Sequence, residues 1–467
     1  MRPSPFAAEK TGLGPSSGRA RDIPATAIPA EYVPRRGVDP LSRAFDKKVA
    51  VHAGLMGAPR VGREAADTLR ERMMTPRTGK SAAYVHVPFC ETRCLYCGFF
   101  GGKYSREKGD AYVDALLAQL AMDAELPAAQ AGPVHALYLG GGTPTALSAT
   151  QLERLLGALV TTLPLANDCE ITVEGRIHNF GEDKMRACIE AGVNRFSLGV
   201  QSFDTGLRRR LGRIDGREAV IAAIEKLAAF DQAVIVTDLI YGLPGQTLRD
   251  WEADVRLFLS LPLDGVDLYQ LNVFPGGKLH DGIRDGSIPP VPDIAGQSAY
   301  FARGVEIMRT AGMRRLSMSH WGKGNRERNM YNPLTKSRAD CLAYGAGAGG
   351  TMHGHLYIQE SDPEKYMESM ARGEKPVAML MDPPEHFGLM RVVLGQMENG
   401  FLDLDDVAAA GGSVARGRLE PLLAAWEEGG APDPFRLQGE SDPGRAVLEC
   451  EPDPVASGLA PGCRLIA

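Results

Sequence analysis

Tyr84-Val-His86-Val-Pro88-Phe89-Cys90-Glu-Thr-Arg93-Cys94-Leu-Tyr96-Cys97-Gly98-Phe99-Phe100 places three cysteines at a C-x3-C-x2-C spacing. The apolar run from Ala82 to Val87 reads as a strand, and Pro88 ends it so that the backbone can wrap around a ligand. Thiolates packed so closely suit zinc or an iron–sulfur cluster. Structural zinc takes four protein ligands, and the only nearby fourth donor is His86. A 4Fe-4S cluster on three cysteines leaves one iron with an open coordination position.

The chain has 467 residues, 44% apolar and 24% charged, with a formal charge of −6. That length implies about two to four domains. A net acidic chain is unsuited to a general nucleic-acid surface or an anionic membrane, and no run is long and apolar enough for a membrane span. The N-terminus lacks the apolar core of a secretory signal, so a cytoplasmic location is expected. Eight cysteines, five of them scattered singly, do not make a disulfide framework.

Strand-like and helix-like stretches alternate after the cysteine loop. Strands are expected at 82–87, 134–139, 169–174, 195–200, 233–240 and 266–273, with helices between them, one opened by a capping box at Ser148 and Gln151. Such alternation means a parallel α/β sheet, and six units fall short of the eight that close a barrel. The expected fold is therefore a partial (β/α)6 TIM-like barrel over residues 80–370. A disordered arm is expected over 1–38, a strap across the barrel over 39–79, a winged-helix-like helical domain over 371–440 and a flexible tail over 441–467.

Polar residues collect at the predicted strand ends, where parallel barrels carry their chemistry. Gly140-Gly141-Gly142-Thr143 closes the second strand and offers close backbone approach and amide groups. Glu174 and Arg176 close the third, Gln201 the fourth, and Arg213 follows a helix-ending glycine. Asp238 is a carboxylate in a strand otherwise made for burial.

These stretches together resemble the oxygen-independent coproporphyrinogen oxidase-like branch of radical S-adenosylmethionine (SAM) proteins. The resemblance implies that Cys90, Cys94 and Cys97 hold the 4Fe-4S cluster and that Gly141, Gly142 and Thr143 meet SAM. It gives Glu174, Gln201, Arg213 and Asp238 to the ribose and methionine parts of SAM, and the region of Tyr84 to a second SAM. Two departures narrow the branch. Phe99 stands where the coproporphyrinogen dehydrogenases carry a further cysteine, and Arg328-Asn329-Met-Tyr331-Asn332 lacks the histidine and tryptophan of the heme-chaperone motif.

Over residues 39–435 the chain resembles the anaerobic heme-utilisation radical SAM methyltransferases. The carriers are Asp39-Pro-Leu-Ser-Arg-Ala-Phe45, Val51-His52-Ala-Gly54, Cys97-Gly-Phe-Phe100, Thr172-Val-Glu-Gly-Arg176, Leu268-Tyr-Gln-Leu-Asn272, Ser319-His320-Trp321, Arg326-Glu-Arg-Asn329-Met-Tyr-Asn332 and Cys341-Leu-Ala-Tyr-Gly-Ala-Gly-Ala-Gly349. The resemblance implies oxygen-independent opening of heme, with methyl transfer from a second SAM, release of iron and a flavodoxin-like electron donor. Arg176, Arg326 and Arg328 are candidate partners of the heme propionates. His320, His52, His353 and His355 are candidate axial ligands. A heme-trafficking protein and a coproporphyrinogen dehydrogenase are the competing readings.

Overall fold

The computed structural model describes residue 57 and residues 59–399, 401–428, 436–438 and 447–449. The expected arm, the first part of the strap, including His52, and most of the tail lie outside the described residues. Six parallel strands follow one another in space as in sequence: β1 Ser81–Val87, β2 Val134–Gly141, β3 Leu165–Gly175, β4 Arg195–Gln201, β5 Val234–Tyr241 and β6 Gly265–Gln270. All six expected strands are present. Their near-continuous apolar character reflects burial on both faces, since helices cover the outside of the sheet.

Local chemistry sets the helix positions. The capping box at Ser148 and Gln151 opens helix Ala149–Thr162, and a second at Thr247 and Asp250 opens helix Leu248–Ser260. The latter buries Trp251, Val255 and Phe258, spaced four and three residues apart, so one stripe of it packs on the sheet.

The six strands belong to a larger sheet of thirteen. Beyond β6, His320–Gly322 and Arg314–Arg315 add antiparallel strands. Beside β1, Cys341–Tyr344 adds a seventh parallel strand, followed outward by Gly349–Met352, His355–Gln359, Val377–Met381 and Pro59–Val61. The described part of the strap thus forms an edge strand, and its helix, Gly62–Met73, packs on this flank through Ala65, Leu69 and Met73. This described part, from residue 59 on, lies along the flank of the sheet, and the residues that carried the strap reading lie outside the described ones. The helix Tyr331–Lys336 instead fills the barrel interior near the strand starts, where Met330, Tyr331 and Leu334 cover Ala82, Ala136 and Cys341.

The C-terminal region has its own small core around Leu402, Leu404, Val407 and Ala415. Helix Phe387–Glu398 is followed by Leu404–Glu428, which kinks at Gly412, where φ is 74°. Phe401–Asp403, Arg436–Gln438 and Val447–Glu449 form an antiparallel sheet beside these helices. Part of the stretch read as a tail is therefore a strand. Among the described residues no helix is long and apolar enough to cross a membrane.

Candidate active site at the strand ends

The cysteine loop lies over the C-terminal ends of the barrel strands and is tied to them. Gly142 donates its amide to the Val87 carbonyl at 2.8 Å, Arg176 donates Nη1 to the Thr92 carbonyl at 2.8 Å, and Leu95 donates to Leu211 at 3.2 Å. Arg213 donates Nη2 to the Tyr96 hydroxyl at 2.8 Å. Cys90 and Cys94 are buried and Cys97 half-buried, with Cys90 Sγ 3.1 Å from Thr143 Oγ1. Burial pushes the Cys90 thiol up to about 11 and also raises that of Cys97. Thiolates at neutral pH in this loop therefore need a positive metal beside them.

The glycine run is required by packing. A Cβ on Gly142 would stand 2.7 Å from the Pro88 carbonyl oxygen, one on Gly141 2.8 Å from the His86 ring, and one on Gly140 2.8 Å from Glu174 Oε2. Gly141 also has a φ of 121°. The expectation of free amide donors is corrected here, because Gly141 donates its amide to Glu174 Oε2 at 3.1 Å and Gly142 donates to Val87. What the turn can offer an amino group is carbonyl oxygen.

Gln201, Arg213 and Asp238 converge on one point. A Cβ built on Gly199 would lie 2.8 Å from Gln201 Nε2, 3.6 Å from Arg213 Nη2 and 3.8 Å from Asp238 Oδ2. Gln201 is held at a φ of 72°, a conformation that L side chains rarely adopt. Its Oε1 and the Nε of Arg213 are buried without a protein partner, as is the Nε of Arg176. Burial, with Asp267 and Glu174 nearby, pushes the Asp238 carboxyl up to about 7.

Below this point lies a charged network whose centre the sequence did not reveal. Glu327 is fully buried, 3.0 Å from Arg195 Nε and 3.1 Å from His320 Nε2. His320 Nδ1 lies 2.7 Å from Asp267 Oδ2, and Ser319 donates to Asp267 Oδ1 at 3.1 Å. Burial would lower the His320 imidazolium, but Asp267 and Glu327 outweigh it and hold the group up at about 9. Burial would likewise raise Glu327, yet Arg195 and His320 hold it down at about 2. Glu174 accepts from the Tyr138 hydroxyl at 2.6 Å. Tyr84, half-buried, stacks with Tyr138 and Tyr331, the last two with ring centroids 4.4 Å apart.

Several candidates fall elsewhere. Both nitrogens of His320 face carboxylates, which leaves no lone pair for an iron and corrects its reading as an axial ligand. Arg326 bonds Asp231 and the Ala233 carbonyl, and Arg328 bonds Asp168. These partners sit where β5 and β3 begin, so both arginines lie at the barrel end opposite the cysteine loop and are corrected as propionate partners at that site. His353 lies in the turn after Gly349–Met352, against the Thr75 carbonyl, and His355 opens the next strand, both at the end where β1 starts. Arg176 does join the cysteine loop, as a brace on Thr92.

The radical SAM superfamily model matches residues 84–258, which hold the cysteine loop and all the converging residues. The anaerobilin synthase of Escherichia coli O157:H7 is 40% identical over 377 residues, 80% of this chain and 83% of that protein. The chain belongs to this family of radical SAM proteins. A heme chaperone HemW of Lactococcus lactis is 31% identical over 63% of the chain and 78% of that protein. The solved coproporphyrinogen III oxidase HemN of Escherichia coli shares the fold, with a TM-score of 0.64 at 21% identity over 73% of this chain and 81% of that one.

As a radical SAM protein the chain is expected to carry a 4Fe-4S cluster and SAM, and its residues fit both. Three soft donors share one loop, glycines allow close approach, and buried polar atoms of Gln201, Arg213 and Arg176 lack protein partners. Among the described residues no three His, Cys, Asp or Glu side chains gather tightly enough for a single metal ion.

Proposed function

We propose that this protein is a radical SAM C-methyltransferase that opens the heme macrocycle without oxygen, releasing iron and a methylated linear tetrapyrrole. The observation that carries the reading is the convergence of Gln201, Arg213 and Asp238 on Gly199, beneath the three-cysteine loop, in a chain related over most of its length to an anaerobilin synthase. Bound there, cluster and SAM supply one-electron cleavage of a carbon–sulfur bond, and so a radical able to take hydrogen from carbon.

Cys90, Cys94 and Cys97 hold the cluster. The Thr143 hydroxyl donates to the Gly142 carbonyl at 2.6 Å and turns its oxygen to Cys90 Sγ, and the carbonyls of Gly141 and Gly142 would accept from the SAM amino group. Arg213, fixed by Tyr96, meets the carboxylate through its unpartnered edge. Glu174, Gln201 and Asp238 would take the ribose hydroxyls, in a setting where Gln201 is buried and the two carboxylates are half-buried, which limits water at the reacting centre. Tyr84 lines the place of a second SAM beside Tyr138 and Tyr331. The electron comes from a reduced flavodoxin-like protein in the cytoplasm.

The test is anaerobic incubation of the reconstituted protein with SAM, a low-potential reductant and heme. Loss of the Soret band, with an open-chain tetrapyrrole and 5′-deoxyadenosine among the products, is the expected result. Heme bound with its Soret band intact and SAM uncleaved would instead favour a trafficking role.

A further inference from the structure

The charged network beneath the SAM residues ends on a side chain that the proposed reaction has not used. Along β6, Val266 and Leu268 pack into the core, so Asp267 and Tyr269 turn to the other face, into the barrel. The register sets Asp267 beside Asp238, and Tyr269 one rung nearer the cysteine loop, beside Ile240. Tyr269 is 41% exposed although it stands inside the barrel, because its ring borders the open lumen. Its hydroxyl bonds the Asp267 carboxylate. Enclosure, with Asp267, Asp238 and Glu174 nearby, pushes the phenol well above its usual range, so it stays protonated. Behind Asp267 stands His320, with Nδ1 2.7 Å from Oδ2, and behind His320 stand Glu327 and Arg195. Apolar side chains flank this end of β6. Met318 is 48% exposed just before Ser319, whose carbonyl accepts from the Leu268 amide, and the Phe274 ring would stand 3.7 Å from a Cβ on Gly98 of the cysteine loop. Phenol, carboxylate and imidazolium thus form one line from the open lumen to a proton held in the core.

We propose that Tyr269 is the proton donor to the pyrrole nitrogens as iron leaves the tetrapyrrole, and that Asp267 and His320 are the relay that recharges it. The inference rests on the heme-opening reading, since it takes a tetrapyrrole as the molecule in the lumen. Iron kept ferrous by the low-potential reductant leaves with its two charges, the electron pairs of its bonds stay on nitrogen, and two protons must replace it. The phenol O–H bond breaks as the first N–H bond forms. Asp267 then passes the phenolate a proton taken from His320 Nδ1, and the phenol gives the second. No electron changes hands in either transfer. Phenol and imidazolium together hold the two protons that release takes, and solvent restores both once the product has left. Glu327 and Arg195 act by position: Glu327 helps Asp267 keep His320 charged, and Arg195, which Glu170 also faces, keeps Glu327 ionised.

The test is a single-turnover reaction of the reconstituted wild type and Y269F with heme, SAM and a low-potential reductant. It follows 5′-deoxyadenosine, the open-chain tetrapyrrole by mass, and ferrous iron by a chromogenic chelator. Phenylalanine keeps the shape of the wall, so a Soret titration should give an unchanged heme affinity. Y269F should form 5′-deoxyadenosine and open the ring at the wild-type rate yet release iron about ten- to a hundredfold more slowly, with an iron-bound open-chain tetrapyrrole accumulating. Wild-type release should fall as the pH rises through about 9, where His320 loses its proton. In E327Q that fall should come about one unit lower, because one of the two carboxylates that hold the imidazolium is gone. Equal iron release by wild type and Y269F, or a parallel loss of 5′-deoxyadenosine or of heme affinity, would overturn the donor, and an unmoved pH limit in E327Q would remove His320 from the relay. A wild type that leaves heme intact and SAM uncleaved would refute the heme-opening reading itself, whereas failure of the donor shows only in the comparison with Y269F.

Discussion

Replacing Glu327 by Gln keeps the shape of a fully buried side chain and removes the one charge shared by Arg195 and His320. Breaking a buried ion pair by losing one partner costs about 3–5 kcal/mol, because the other charge stays buried. Arg195 would keep only Glu170 as a nearby carboxylate, and His320 only Asp267. The pH dependence separates the two cations. A histidine raised from 6.5 to about 9 stabilises the fold by about 3 kcal/mol below pH 6.5, and this is lost as pH rises through 9. Asp267 and Glu327 share that effect, so the variant should give up roughly half of it, about 1–2 kcal/mol. The deficit relative to the wild type should therefore be largest near pH 6 and shrink by that amount near pH 10, where His320 is neutral in both proteins. Urea unfolding at the two pH values, followed by circular dichroism, measures it. A deficit below about 1 kcal/mol, or one equal at both pH values, would refute the assignment of Glu327 as the shared counter-charge.

Single serine replacements of Cys90, Cys94 or Cys97 should each abolish cluster reconstitution, read as iron and sulfide per chain; full occupancy in any of them would remove that cysteine from the donor set. Gly142→Ala drives a methyl against the Pro88 carbonyl, so the cysteine strand must give by several tenths of an ångström. The expected cost is about 1–3 kcal/mol of stability together with reduced cluster content, and a normal melting temperature with full cluster would show the turn to be looser than described. Arg326→Ala and Arg328→Ala should leave heme affinity unchanged in a Soret titration, because both side chains sit at the strand starts; a clear loss would return them to the substrate site.

The barrel was legible because it rests on local signals. Each strand is a short apolar run closed by glycine or a polar residue, and parallel sheets gather those closing residues at one end, so Gln201 and Asp238, 37 positions apart, could be expected near each other. The errors come from long-range topology. Arg326 and Arg328 follow an antiparallel strand, His320–Gly322, which carries the chain back toward the strand starts, and nothing local in an arginine-rich loop marks that reversal. Glu327 between them reads as a surface charge, although it points inward to meet Arg195 from a strand 132 residues earlier. His320 looked like a free imidazole because Asp267, its partner, is one polar residue inside a strand. The C-terminal sheet was missed for a similar reason: Phe401–Asp403 and Val447–Glu449 are three residues each, too short for periodicity to register.

The most direct measurement supplies SAM deuterated in its methyl group to the reconstituted protein with heme and a low-potential reductant under anaerobic conditions, and follows the label by mass spectrometry. The account predicts deuterium in two places, in the 5′-deoxyadenosine that takes hydrogen from the methyl and in an open-chain tetrapyrrole that receives the remaining methylene. Heme recovered intact, or a tetrapyrrole opened without any label, would contradict it.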